Sequence, residues 1–451
     1  MNRREFLQKT SLAGVPLLAP AGLFSASTEG PHFPPLETIT VGGREIHPAA
    51  PPRGLRNFPD LGILANRGMS AQRIYAHAAP EDWCGESRGI KTPGGDYLVM
   101  FTAGQHHFGG QLTKSNDMVA FRSTDQGKTW SAPKIAWNIP YNQHGFVPLI
   151  PRGSKRIYAF GTEPFFKLLD LPEDAPIGYR YSDDDGHSWS QVTVIHPAND
   201  PDFRGFFVMR MCETGQGTWL LAPSVSHYNM NCGDKKRWCP PVFSCSYIMR
   251  STDHGRSWNL LPGPRPGGWA EPSFHRMDEA RPISLGGSKV LLLGRTNEGH
   301  LWQLRSEDDG QTWTEPRPTP LVHPAAPPMV FHLTDGKTLA CFHHNRFTPG
   351  FNTVPGSSLT RSEIWVSLSH DDAVTWSEPR FVMANSAGGG KLGDFADCSV
   401  SYQDLLVDQG VLHIILSHQF RQVLDIRLEE ELLHRLPTRA ELLSLPDRKE
   451  R

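Results

Sequence analysis

The chain is poor in cysteine, and what it has is not arranged to hold a metal. Seven cysteines lie at Cys84, Cys212, Cys232, Cys239, Cys245, Cys341 and Cys398. No pair has zinc-ligand spacing, and the odd count leaves at least one thiol unbridged. Cys232, Cys239 and Cys245 share one stretch, where a disulfide is expected in an oxidising compartment. The alternative is buried apolar thiols. An excess of one charge is also missing: 45 Lys and Arg face 47 Asp and Glu, a formal charge of −2. Nothing in that balance attracts nucleic acid. The apolar stretch from Leu12 to Leu23 is too short to span a bilayer, which excludes an inserted helix there. Gly and Pro together make 81 residues, enough for a turn-rich β protein and too few for a low-complexity chain.

What is present is a repeated phrase. RSTDQGKTW ends at Trp130, and near-copies end at Trp189, Trp258, Trp313 and Trp376, with the shared core SxDxGx(S/T)W. The intervals of 59, 69, 55 and 63 residues suit one supersecondary unit plus variable loops and are too long for a helical solenoid. Within each unit a Gly-containing turn opens a short apolar run, as in YLVMFTAG or VLLLGRT, and a second run, such as DMVAFRS or EIWVSLS, leads into the box. Runs of this length rich in β-branched and aromatic residues read as strands. The box reads as a hairpin turn: Asp and Ser accept from the turn's own amides, Gly takes positive φ, and Trp packs between sheets. Its role is architectural. Ala373 replaces Gly in the fifth box, so a distorted turn is expected there. Five boxed units plus the unboxed SYQDLLVDQGVLHIILSH make six, and repeated four-stranded units close most simply into an all-β six-bladed β-propeller.

The two ends read differently. MNRREFLQKTSLAGVPLLAPAGLFSAS, with Arg3 and Arg4 ahead of a short apolar stretch, predicts a twin-arginine export signal over residues 1–27 and a periplasmic or secreted protein. Its removal takes Arg3, Arg4, Glu5 and Lys9 with it and brings the formal charge to about −4. The propeller is expected over 28–427. Residues 428–451 read as a tail of one or two short amphipathic helices interrupted by Pro437.

The strand pattern also places charges. In DEARPISLGGSKVLLLGRT the turn is centred near Gly287, and Glu279 and Arg295 are each eight residues from it, so they should meet at one end of the hairpin. Asp117 precedes the third strand of the first unit, and Arg361 opens the third strand of a later one. Both belong on the same rim.

The box is identified as the Asp-box, or BNR, repeat, and the chain resembles the sialidase superfamily of six-bladed propellers over roughly residues 70–425. The resemblance implies an exo-acting retaining glycosidase acting on terminal sialic acid or a related acidic sugar. It assigns Tyr402 as nucleophile with Glu279 as its base, and Asp117 as acid/base. Arg295 and Arg361 become carboxylate-binding arginines. Arg88, in GESRGIKTP, best matches the third, with Arg73 as a rival. Arg88 stands close to its turn, in mid-strand unless a bulge intervenes. A neutral tyrosine suits a substrate whose anomeric carbon bears a carboxylate, since an Asp or Glu nucleophile would be repelled. The phenol then needs a base, and the carboxylate needs planar, always-charged partners. Asp394 and Asp397 are further polar candidates.

Histidines complicate that picture. Gln105, His106 and His107 follow the second strand of the first unit, and His343, His344, Asn345 and Arg346 that of the fifth. His107, His344 and Arg346 are expected to contact substrate. They also suit a lyase acting on uronate-containing glycans, and a non-catalytic carbohydrate-binding propeller is the other alternative. No metal and no cofactor are expected; the expected partner is a glycan with an acidic end, with neither nucleic acid nor membrane insertion.

Overall fold

The computed structural model describes residues 39–41, 44–46, 68–76, 83–104, 116–139, 146–162, 176–205, 208–227, 243–272, 275–345, 361, 363–384, 400–418, 422–438 and 440–441. The expected export signal therefore lies outside the described residues, as do His106, His107, Arg346, Cys232, Cys239, Cys398, Asp394 and Asp397. Within the described residues stand six four-stranded antiparallel sheets and two two-stranded ones. The six larger sheets are the blades of a six-bladed propeller. Blade 1 is built from Trp83–Lys91, Tyr97–Gly104, Asn116–Ser123 and Lys134–Ile139. The first strand of each blade faces the axis, where neighbouring first strands touch. Those strands are Val147–Leu149, Met211–Glu213, Asp278–Gly286, Met329–His332 and Asp404–Asp408 in blades 2 to 6.

The near-continuous apolar runs follow from burial on both sheet faces. Successive side chains of a strand point to opposite faces, so Leu98 and Met100 pack towards blade 2 and Val99 and Phe101 towards blade 6. Val290 and Leu292 likewise meet blade 3, and Leu291 and Leu293 meet blade 5. Six such apolar layers join each blade to the next and the last to the first. Blade 6 takes its outer strand from the other end of the chain: Ser70–Ala76 pairs with Gln422–Glu429. Arg73 lies on that outer strand.

The boxes are turns with one repeated bonding pattern. In the first, Gly127 N–H donates to Ser123 Oγ at 2.7 Å, Ser123 donates to Asp125 Oδ1 at 2.7 Å, and Thr129 N–H donates to the same carboxylate at 2.8 Å. The fifth keeps it. Ala373 N–H donates to Ser369 Oγ at 2.9 Å with φ of 61°, so the distortion expected from Ala does not occur. Buried Ala373 instead accepts the left-handed backbone and packs its methyl between blades 4 and 5. The Arg preceding several boxes rivets blades together: Arg122, Arg250 and Arg305 donate to the turn carbonyls of Asp185, Asp309 and Ala373 in the following blade, at 2.6, 3.0 and 2.7 Å.

The last strand runs to Glu429, two residues past the expected boundary. The described part of the tail holds a five-residue 3-10 helix, Glu430–His434, with Leu433 and Leu436 buried against blades 5 and 6, and residues 442–451 lie outside the described residues. Cys245 carries a free thiol, so the expected disulfide does not include it.

Candidate functional site

Glu279 and Arg295 meet, with a register that counting residues could not supply. Asp278 is the residue that pairs with Arg295, and a bulge between Asp278 and Arg281 throws Glu279 out of the ladder with φ of 48°. A second bulge, between Gly85 and Arg88, does the same to Glu86, with φ of 49°. Arg88 follows that bulge and rejoins the ladder opposite Met100. Tyr402, two residues ahead of the inner strand of blade 6, has φ of 63°. Left-handed backbone at a non-Gly residue costs on the order of 1–3 kcal/mol and persists only where surrounding structure imposes it. Here serines of the preceding blade help: Ser417 Oγ accepts from Ser87 N–H and Ser224 Oγ from Glu279 N–H, both at 3.1 Å.

The three residues sit at the head of the inner strands of blades 1, 4 and 6, and two of them bond directly. The Tyr402 hydroxyl donates to Glu279 Oε1 at 2.9 Å. Arg295 Nη1 lies 2.6 Å from Glu279 Oε2, and its Nε lies 3.5 Å from Asp278 Oδ1. Arg276 holds the other Asp278 oxygen at 2.8 Å. Arg361 Cζ stands 6.0 Å from the Tyr402 ring centroid, and its Nη2 donates to the Ala325 carbonyl. Arg88 pairs with Glu86 at 3.5 Å. Arg88, Arg295, Arg361, Glu279 and Tyr402 are all buried.

Burial dominates the electrostatics. It raises the Tyr402 phenol well above its ordinary range, and the Glu279 carboxylate adds to the rise. Burial lowers Arg361 to about 10 and lowers Arg88, with Glu86 opposing it in the latter. At Arg295 burial also pulls down, but Glu279 and Asp278 outweigh it and the net shift is upward.

Two further expected residues make other contacts, His344 close enough to Arg361 to feel its charge. Asp117 accepts a hydrogen bond from Asn138 on the adjacent outer strand at 2.5 Å, and no contact joins it to Tyr402 or Glu279 among the described residues. His344 is fully buried, stacked on His323 at 5.0 Å, and donates from Nδ1 to the Glu363 carbonyl at 2.6 Å. Burial pushes its pKa down to about 3, so it is neutral. Glu86, whose charge bears on Tyr402, is a carboxylate that sequence reasoning did not single out. Its signal was the recurrence of acid–small–Arg in Glu86-Ser87-Arg88 and Glu279-Ala280-Arg281, at the heads of two inner strands.

Residues 171–414, more than half of the 451, match the family described as the BNR repeat-like domain, and residues 121–132 match the BNR/Asp-box repeat. The chain belongs to the BNR repeat-like family. Solved structures with the same propeller include the Hadza microbial sialidase Hz136, at 20% identity and a TM-score of 0.57, covering 80% of this chain and 69% of that one. The leech intramolecular trans-sialidase is 14% identical with a TM-score of 0.54, covering 80% and 70%. A protein of unknown function from Dyadobacter fermentans is 16% identical with a TM-score of 0.57, covering 80% and 99%. A xyloglucanase from Paenibacillus sp is 25% identical over 223 residues, which are 46% of this chain and 19% of that one. The chain thus spans about a fifth of that relative's length. For this BNR protein the solved structures show the six-bladed propeller fold. Among its described residues no helix is long and apolar enough to cross a membrane, and no group of three or more His, Cys, Asp or Glu could hold a metal ion.

Proposed function

We propose that the protein is an exported glycoside hydrolase that removes a terminal sialic acid or related acidic sugar with retention of configuration. The observation that carries this reading is the buried 2.9 Å hydrogen bond from Tyr402 to Glu279, with Arg295 and Arg361 around it. In water, moving a proton from a phenol to a carboxylate is uphill by roughly 6 pK units, or roughly 8 kcal/mol. The transfer is therefore coupled to formation of the bond between Tyr402 Oη and the anomeric carbon, which consumes the phenolate as it forms. Arg295 and Arg361 hold the substrate carboxylate and the developing charge, with Arg88 behind them. A carboxylic acid must protonate the leaving oxygen and then activate water. Glu86 replaces Asp117 in that role, because it is the carboxylate beside Arg88 at the head of blade 1.

A neutral glycan is the second reading. Glu86 at an inner-strand head opposes an anionic sugar, and the xyloglucanase relative acts within that other class. The test is hydrolysis of a fluorogenic α-sialoside and of xyloglucan by purified protein, together with Tyr402→Phe, Glu86→Gln and Asp117→Asn. Sialoside turnover abolished by Tyr402→Phe and Glu86→Gln but kept by Asp117→Asn is the expected result. Turnover of xyloglucan alone selects the second reading, and unchanged turnover in Tyr402→Phe overturns the tyrosine mechanism. Export is tested by following Arg3→Lys/Arg4→Lys, which should stay in the cytoplasm.

A further inference from the structure

Below the Tyr402–Glu279 pair, along the propeller axis, lies a cavity of about 390 Å³. The inner strands of blades 3 to 6 form its wall, from Arg210, Arg281, Phe331 and Leu405 onward and away from the rim that carries Glu279. Its volume is in the range of small-molecule sites. Arg281 is fully buried there, and among the described residues none of its three guanidinium nitrogens has a hydrogen-bond partner. Its two cationic neighbours are compensated: Arg210 pairs with Asp404, and Arg88 with Glu86. What Arg281 has is the face of Phe331, with Cζ 5.2 Å from the ring centroid, and Arg210 shares that ring at 5.6 Å.

A cation–π contact of this kind is worth about 2 kcal/mol when desolvated. Burying an unpaired ion costs several kcal/mol, so the ring does not compensate the charge. Arg88 and Arg210 add repulsion to the burial that already disfavours the Arg281 cation. A guanidinium does not escape by losing its proton at physiological pH. An anion in the cavity would compensate that charge more fully than water does.

We infer that the axial cavity is a binding site for a small organic carboxylate, held by Arg281 and Arg210, with its apolar body against Phe331, Ile283, Val330 and Leu405. A carboxylate matches the two-pronged geometry of a guanidinium. The apolar part of the wall, which Glu213, Ser284 and His332 interrupt, and the size of the cavity favour an organic acid over a halide or sulfate. This site is separate from the Tyr402 pair and does not depend on the reaction proposed there.

The experiment uses 4-iodobenzoate soaked into crystals of the full protein, with the iodine located by anomalous scattering. Calorimetric titration of benzoate into wild type, Arg281→Met and Tyr402→Phe accompanies it. The expected result is an iodine peak in the axial cavity, saturable binding that Tyr402→Phe keeps, and affinity at least tenfold weaker in Arg281→Met. Sulfate and chloride at matched ionic strength should bind at least tenfold more weakly than benzoate. An iodine peak only beside Arg295 and Arg361, no peak at all, or binding unchanged in Arg281→Met each overturns the inference. Sulfate binding at Arg281 as tightly as benzoate overturns the assignment to an organic acid. If Arg281→Met does not fold, the crystallographic arm on wild type decides alone.

Discussion

Replacing Glu279 with Gln separates the two jobs the carboxylate does. Gln is the same shape and keeps a carbonyl oxygen, so one of the two bonds, to Tyr402 or to Arg295, can be retained. It cannot serve both: Oε1 takes the Tyr402 proton at 2.9 Å while Oε2 sits 2.6 Å from Arg295 Nη1. An amide has one oxygen, and its NH₂ would face a donor. Breaking a buried ion pair by removing one partner costs about 3–5 kcal/mol. The low end applies because Asp278 still lies 3.5 Å from Arg295 Nε, so the expected loss is about 3 kcal/mol in urea denaturation. Activity should fall by more, since a positioned general base contributes about 10²–10⁴-fold and Gln accepts no proton. The assay is kcat/KM on a fluorogenic sialoside, measured well below the denaturation midpoint so that the folded fraction is unchanged. Glu279→Gln within threefold of wild type would refute the base assignment. A stability loss under about 1 kcal/mol would refute the claim that the ion pair is desolvated.

Tyr402→Phe removes one hydrogen bond to a charged group and should cost about 1.5–3 kcal/mol of stability, while Arg295 still satisfies Glu279. Activity in the same variant should fall at least a thousandfold on the sialoside. Ala373→Gly relieves a left-handed Ala, worth about 1 kcal/mol or a little more, and removes a buried methyl worth about 0.8 kcal/mol. The two nearly cancel, so the denaturation midpoint should barely move, and a shift above about 1.5 kcal/mol would show that one of them is misjudged. Burial holds His343, His344 and His418 down to about 4, 3 and 3, so they stay neutral in the folded protein. The unfolded chain protonates them below about pH 6.5, so it binds more protons between about pH 6.5 and pH 4. Stability is therefore lost as pH falls through that window, by up to about 1.4 kcal/mol per pH unit for each histidine. Their contribution should be flat above it in denaturation series from pH 8 to 4.

The blades were legible because their determinants are local. The five boxes carry their own hydrogen-bond partners within a few residues, and runs such as YLVMFTAG declare burial on both faces by being apolar at every position. Counting from the turn at Gly287 brought Glu279 and Arg295 to one hairpin end for the same reason. Asp117 was less legible, because a lone Asp before a strand says nothing about which way it faces. Here Asn138 on the neighbouring strand takes it. Glu86 stayed hidden because a bulge, which the residue types do not announce, decides that it leaves the ladder.

Local residue chemistry alone thus determined the repeat, the strands, the number of blades and the meeting of Glu279 with Arg295 at one hairpin end. The tertiary structure decided the rest: the closure of blade 6 by Ser70–Ala76, the bulges that present Glu86 and Glu279 beside Tyr402, and the meeting of Arg88, Arg210 and Arg281 on the axis. Those contacts join residues tens to hundreds of positions apart. Their energies depend on burial and on the register between strands, and neither exists until the ring has closed.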